Sequence, residues 1–376
     1  MAPMDGRVVE VVGPGAAAAD EACCQDQRDH EQQEHRQHEL ACGAGPFRPP
    51  TPSAHRPRVP SVTRHYPTAR PRSERGHNAG VKITKLSNVD AFVVVDLDGA
   101  ERATGIVRWA KKVLQDGAVN LARHVTYAAA SLGLEVSGAS AGINSLPDGR
   151  ADAIAAFTEE VGATGVRLDP GKGVAATDLE PLASADDRSP LYNDLHDQLL
   201  AVGQVAALRA ARGDLSHLSV AIEAEVAGVA ELTAALTATG ATVEAVPAGT
   251  LDASCDVLCV GSKVGLVDHE NVGSVKASTI LPVGPLPITA RGLAAARRAD
   301  ILVLPDVLTL AGPLLAAWPE AGADADAVIA AADAQIAAAT SEAMAHADGP
   351  LLGASVRAET FLLTWRDDLP FGRPIA

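Results

Sequence analysis

Aromatic side chains are scarce in this chain. They make up 3% of its 376 residues, so the core must be filled mainly by the Ala, Leu and Val of a 47% hydrophobic composition. That length is enough for two ordinary domains. Cysteine is sparse too: Cys23, Cys24, Cys42, Cys255 and Cys259 form an odd set without framework spacing. Cys255 and Cys259 fall in an expected strand, where a buried free thiol is the ordinary outcome. No apolar run approaches the ~18 residues of a membrane span. The N-terminus lacks the charged-then-apolar layout of a signal peptide, and a cytoplasmic protein is expected. Basic charge is not in surplus either. The formal net charge is −16, and residues 1–80 hold ten Arg, no Lys and ten Asp plus Glu, so all the surplus acid lies in the body. An acidic globule argues against nucleic acid or an anionic membrane as partner.

Residues 1–80 carry Pro and Arg clusters (Arg48-Pro49-Pro50, Arg56 to Pro60, Arg70-Pro71-Arg72) and the polar tract Gln25 to Glu39. Little there offsets the entropy of ordering, so a disordered Pro/Arg/His-rich arm is expected. Cys23, Cys24, His30, His35, His38 and Cys42 lie in this arm, but their spacing fits no standard zinc pattern, and no metal site is expected.

From Val81 the texture changes. Asp90 to Asp96 reads as a strand with a turn at Leu97-Asp98-Gly99, Val113 to Gly133 as a helix, and Val136 to Gly142 (with its Ser-Gly-Ala-Ser-Ala-Gly) as a small-residue loop. Ala151 to Val161 reads as a helix, Val166 to Leu168 as a short strand, and Leu195 to Arg212 as a long helix bridging two domains. Leu218 to Val246 opens with alternating apolar residues, continues at helical spacing to a C-cap at Gly240, and ends in a second strand. That is the βαβ opening of a dinucleotide-binding domain. Asp256 to Val260, Ser278 to Leu281 and Ile301 to Leu304 suit buried parallel strands, and the segments Asp326 to His346 and Glu359 to Trp365 are helical. The expected fold is α/β: a mixed α/β domain, then a doubly wound Rossmann-type domain with a helical C-terminal tail.

Several landmarks between about Asp90 and Glu320 stand in the order, and at about the spacing, of one enzyme family. They are Thr104-Gly-Ile-Val-Arg108, His124-Val-Thr-Tyr127 with Ser137 to Gly142, Asp169-Pro-Gly-Lys-Gly-Val174 leading to Asp178, and Ala299 to Asp306 with Ala311-Gly312. The chain thereby resembles the dehydrogenases that act on glutamate, leucine, phenylalanine and valine. The resemblance implies a substrate-type, dimerising domain over 81–192, a Rossmann-type domain over 193–325, and C-terminal helices over 326–376 that pack back across the cleft. It also implies NAD or NADP as cofactor, an amino acid as ligand, and assembly into homo-oligomers or hetero-oligomers with an active paralogue.

The chemistry-bearing positions depart from the family. Its two lysines fall at Ala128 and Ser140, while Asp178 matches its catalytic aspartate and Arg108 a substrate-binding position that Ser140 would share. A lysine poised near neutral pH has no substitute in a serine hydroxyl, and losing a general acid/base costs about 10²–10⁴-fold in rate. The phosphate-binding turn places Ala224, Val226 and Val229 where glycines belong; a shift by one recovers only Gly228, and Val226 is expected to crowd the pyrophosphate. The second strand ends Val246-Pro247-Ala248, without the acidic residue that holds a ribose. Two family asparagines fall at Pro285 and Leu310. The expectation is therefore a non-catalytic relative with a scaffold, metabolite-binding or regulatory-subunit role. The alternative is an active amino-acid dehydrogenase that recruits Lys172 or Lys263; an interaction protein using segment 47–75 ranks lowest.

Overall fold

The computed structural model describes residues 80–376. The N-terminal arm, with its cysteine and histidine tract and the 47–75 segment, lies outside the described residues. Chain order gives β1 (Lys82–Lys85), β2 (Ala91–Val95), β3 (Ala103–Ala110), α1 (Gln115–Ser131), β4 (Ser137–Asn144), α2 (Arg150–Val161), β5 (Arg167–Pro170) and a 3-10 segment (Ala176–Ala185). The strands form one mixed sheet in the order β1-β2-β4-β3-β5. Strands β3, β4 and β5 are parallel, whereas β2 runs antiparallel to β4 and β1 antiparallel to β2.

The segment expected as a small-residue loop is instead β4, the central strand of this sheet, with Ser137 to Ile143 all buried. Its small side chains are there to admit neighbours. A Cβ on Gly138 would lie 1.7 Å from the Ala122 carbonyl of α1, and one on Gly142 would meet the Phe92 ring at 2.6 Å. Helix α1 thus sits directly on bare strand backbone, and the Gly138 N–H donates to the Thr126 hydroxyl at 2.9 Å. Composition alone cannot separate such a strand from a loop.

Helix α3 (Pro190–Arg212) leads into the second sheet. Ser189 caps it by accepting from the Leu191 N–H, with Pro190 at the first helical position, where its missing N–H is harmless. Then come β6 (Ser219–Glu223), α4 (Val229–Ala238), β7 (Thr242–Val246), β8 (Val257–Val260), β9 (Thr279–Pro282), α5 (Ala290–Arg298), β10 (Leu302–Val303), α6 (Asp306–Thr309), α7 (Leu314–Ala317), α8 (Ala325–Met344) and α9 (Pro350–Trp365). This sheet is wholly parallel, in the order β10-β9-β8-β6-β7. The chain leaves β6 for β7 on one side and then crosses to β8 on the other, so a topological switch point falls between β6 and β8. Gly240, at φ 89°, takes the left-handed turn between α4 and β7, a conformation that suits glycine.

Helix α9 lies along both α1 and α8. One apolar cluster joins the layers: Tyr127, Ala128 and Leu132 of the first pack with Leu208, Ile222, Leu281 and Leu308 of the second and Ala354 and Leu362 of α9. Helix α1 is therefore buried on two sides, by β4 on one and by the second layer on the other.

Candidate functional site

Paired residues in a parallel ladder project to the same face. The register places Ser140 beside Ile106, and Ile106 beside Asp169; the next pair on that face is Gly142 with Arg108. This is the face that α1 covers, since Phe92, Val94, Ala118 and Ala122 pack together on it. Ser140 is completely buried, and among the described residues its hydroxyl has no hydrogen-bond partner. Arg108 is half-buried with Nε and Nη2 both enclosed and unpartnered. Burial holds its guanidinium below the usual arginine pKa, though an arginine stays charged at any relevant pH. Ala128, at 2% exposure, belongs to the apolar cluster between the layers.

Beyond Ile106 the same face becomes polar. The Asp169 carboxylate accepts from the Tyr192 hydroxyl at 2.6 Å and from Arg188 Nη1 at 2.9 Å. Arg188 also donates to Thr104 Oγ1 at 3.2 Å and stacks 4.1 Å over the Tyr192 ring. Burial, then the neighbouring Asp169 charge, raises the Tyr192 phenol well above its ordinary pKa. Sequence reasoning treated Asp169 only as a turn residue. The available signal was an aspartate ending a strand that lies beside a glycine-containing strand.

Asp178 is placed elsewhere. It sits in the 3-10 segment, whose Leu179 packs with Val107, Ala139, Ala141 and the α2 side chains Ile154 and Phe157, on the sheet face opposite Ser140. Its carboxylate accepts from the Ala175 N–H at 2.7 Å and from Arg150 at 2.5 Å, an N-terminal capping arrangement. These two bonds, the backbone one first, lower its pKa. With Arg150, Ile154 and Leu182 it lines an open groove of about 700 Å³. The structure thus brings Arg108 and Ser140 to one face and leaves Asp178 on the other. Lys172 and Lys263 are both exposed loop residues.

Polar contacts also tie α1 to the second layer. His124 Nε2 lies 3.2 Å from Asp306 Oδ2, both side chains nearly buried; the distance is that of an ion pair, but the imidazole nitrogen is too far off line to count as hydrogen-bonded. Asp306 accepts from the Leu286 N–H at 2.8 Å. Burial pushes the Asp306 pKa up, but His124 and the Leu286 and Val307 N–H groups outweigh it and leave it lowered. Leu286 itself has a φ of 53°, a left-handed conformation that costs a branched residue roughly 1–2 kcal/mol. Arg123 pairs with buried Asp96 at 2.6 Å and also donates to the carbonyls of Phe371 and Gly372. The Ala376 carbonyl in turn accepts from the Ala290 N–H at the start of α5.

At the carboxyl end of the second sheet the turn after β6 differs from expectation. Val226 does not face outward to crowd a phosphate. It points into the core at 9% exposure and packs in the cluster that holds Leu232 and Leu236, because the turn is anchored by that apolar contact. Ala224 and Glu225 are exposed. Val229 is half-buried at the first position of α4, and Gly228 takes φ 68° just before it. The decisive residue is one that sequence reasoning passed over. Glu223, fully buried at the end of β6, accepts through Oε1 from the Gly249 N–H at 2.6 Å and the Ser262 hydroxyl at 2.7 Å. Through Oε2 it accepts from the Gly261 and Ser262 N–H groups at 2.6 and 2.9 Å. The N–H groups of Gly249, Gly261 and Ser262, which follow β7 and β8, are engaged by this carboxylate, whose charge would repel a phosphate brought beside it, so the residues present do not fit a dinucleotide phosphate there. Among the described residues no group of histidines, cysteines or carboxylates is arranged to hold a metal ion. Nor is any described helix long and apolar enough to cross a membrane.

No protein-family model matches the sequence, and no curated protein matches it either. Solved structures do. L-tryptophan dehydrogenase from Nostoc punctiforme superposes with a TM-score of 0.59 at 16% identity, covering 76% of this chain and 95% of that one. The hetero-hexameric glutamate dehydrogenase of Thermus thermophilus, in its Leu-bound form, gives 0.62 at 17% identity over 75% and 88%. Glutamate dehydrogenase from Plasmodium falciparum gives 0.61 at 10% identity over 73% and 79%. Across these matches the chain has the fold of the amino-acid dehydrogenases: a mixed α/β layer, a Rossmann-like parallel layer and a helical C-terminal region.

Proposed function

We propose that this protein keeps the amino-acid dehydrogenase scaffold without hydride transfer, and binds a small amino or carboxylic acid as a regulatory or partner subunit. One observation carries the reading. Both positions that correspond to the family's lysines, Ala128 and Ser140, lie inside the packed interior with no amine. The acid/base step on the substrate's α-carbon and amine therefore lacks its proton carrier, and Asp178, engaged as a cap on the far sheet face, does not replace it. The exposed Lys172 and Lys263 offer no support for rescue of activity.

The ligand class follows from the groups left unsatisfied. Arg108 presents two enclosed, unpartnered nitrogens, and Ser140 on the same face has an unpartnered hydroxyl. Buried donors without acceptors each cost about 1–3 kcal/mol, and a carboxylate is the acceptor that a guanidinium fork matches. The Thermus neighbour is a hetero-hexamer in a Leu-bound form, which supports a subunit role for such a scaffold. The division into 81–192, 193–325 and 326–376 and the assembly as a homo- or hetero-oligomer belong to this proposal. The test uses purified full-length protein with NAD or NADP and a panel of amino acids. Expected are no reduced nicotinamide and a thermal shift with one or more of the acids. Turnover in a preparation free of other dehydrogenases, or no shift with any acid, overturns it.

A further inference from the structure

We infer that Glu223 is a built-in ligand: its carboxylate occupies the crevice where a doubly wound sheet receives a dinucleotide, and the second layer is complete without a cofactor. The inference rests on the proposed kinship of this layer with dinucleotide-binding domains, and it adds what has taken the cofactor's place. In open parallel sheets, ligands bind beyond the carboxyl ends of the strands at the switch point, where backbone N–H groups converge. Here the switch point lies between β6 and β8, and Glu223 is the last residue of β6. Its two oxygens accept four hydrogen bonds, two each, from Gly249, Gly261 and Ser262. A carboxylate has about four lone-pair sites, so its accepting capacity is spent.

The donors come from separate exits of the sheet. Gly249 follows β7, while Gly261 and Ser262 follow β8. One side chain therefore ties three strand ends together, as a bound phosphate would. All four donors are neutral, so oriented dipoles hold the charge, in the manner of an anion nest. A Cβ on Gly261 would lie 2.2 Å from the Gly284 nitrogen, so the loops after β8 and β9 meet backbone to backbone there. A nucleotide diphosphate that reaches these three residues must take the donors from Glu223. That would strand a buried carboxylate beside a like charge, with exposed Glu225 adding repulsion at the rim.

The experiment uses the full chain and three probes: NAD, ADP and sodium acetate. The wild-type protein is expected to show neither calorimetric heat nor a change in Tm with NAD or ADP at millimolar concentration. Glu223→Ala empties the nest; it is expected to lose roughly 5 °C or more in Tm and to regain part of that with acetate beyond what equal chloride gives. Glu223→Gln keeps the shape but sets an amide N–H₂ against N–H donors, so its Tm should also fall. It is the variant to read if Glu223→Ala does not fold. Sub-millimolar binding of NAD or ADP by the wild type overturns the inference. So does an unchanged Tm in Glu223→Gln, or a folded Glu223→Ala variant that acetate does not stabilise. Nucleotide binding without turnover would remove this inference and leave the proposed function standing. Absence of any amino-acid ligand would do the reverse.

Discussion

The two layers treat their buried polar groups in opposite ways. On the first sheet, Arg108 and Ser140 hold polar atoms that lack partners within the fold. On the second, Glu223 accepts all four hydrogen bonds donated to it by Gly249, Gly261 and Ser262. A group left unsatisfied in the interior is a standing penalty that a ligand can remove, whereas a satisfied nest gains nothing by exchange. The difference says where to look for a ligand: at the face shared by β3, β4 and β5, and not at the carboxyl ends of the parallel sheet.

The largest effect expected from testing that contrast comes from placing an amine in the first layer. Ser140→Lys places an ammonium at a position with no exposure, and should lose about 3–5 kcal/mol in urea unfolding. A variant within about 1 kcal/mol of wild type would show a wet, open face and erase the contrast between the layers.

Asp306 tests whether the layers are held as one. Its folded pKa is depressed below the ordinary 3.8, so its stabilisation is complete above that value and is lost as pH falls through the lower folded pKa. Asp306→Asn should therefore cost about 2 kcal/mol at neutral pH and flatten the acid limb of the stability profile below pH 3.8. An unchanged acid limb would detach this residue from the coupling of α1 to the second layer.

Arg108→Met is expected to act in the other direction. It keeps an unbranched apolar stem and removes the enclosed nitrogens, so apo stability should rise by about 1 kcal/mol, while any thermal shift from amino or carboxylic acids should vanish. A variant that keeps the shift would move the ligand elsewhere. The smallest change belongs to Asp178→Ala, which removes a cap worth about 1 kcal/mol or less and should leave the acid-induced shift intact, because it lies on the other face of the sheet. Loss of that shift would restore Asp178 to the site.

Much of the fold could be read in advance because periodicity and punctuation agree. The alternation before Glu223, the helical spacing to Leu236 and the break at Gly240 become β6, α4 and β7. Strand β4 escaped because Ser-Gly-Ala-Ser-Ala-Gly has loop composition, and only the proximity of α1 explains it. The site was less legible. Whether Val226 faces solvent or core depends on how the turn docks against Leu232 and Leu236, which no spacing rule encodes. In the sequence Glu223 is one acidic residue after an apolar run. Its significance needs Gly249 and Ser262, 26 and 39 positions away, to converge on it. Asp169 and Asp178 are nine residues apart in sequence and associate with opposite sheet faces, through Tyr192 and Arg150 respectively.

The contact between α1 and the bare backbone at Gly138 has a consequence for anyone wishing to lengthen the side chains of β4. With the Ala122 carbonyl where a side chain would begin, the helix has no slack to retreat from a longer neighbour without dragging His124 away from Asp306 and the 371–372 carbonyls away from Arg123. Placing a long side chain on this strand is accordingly a matter of rebuilding main chain, and libraries confined to side-chain swaps there should return misfolded protein.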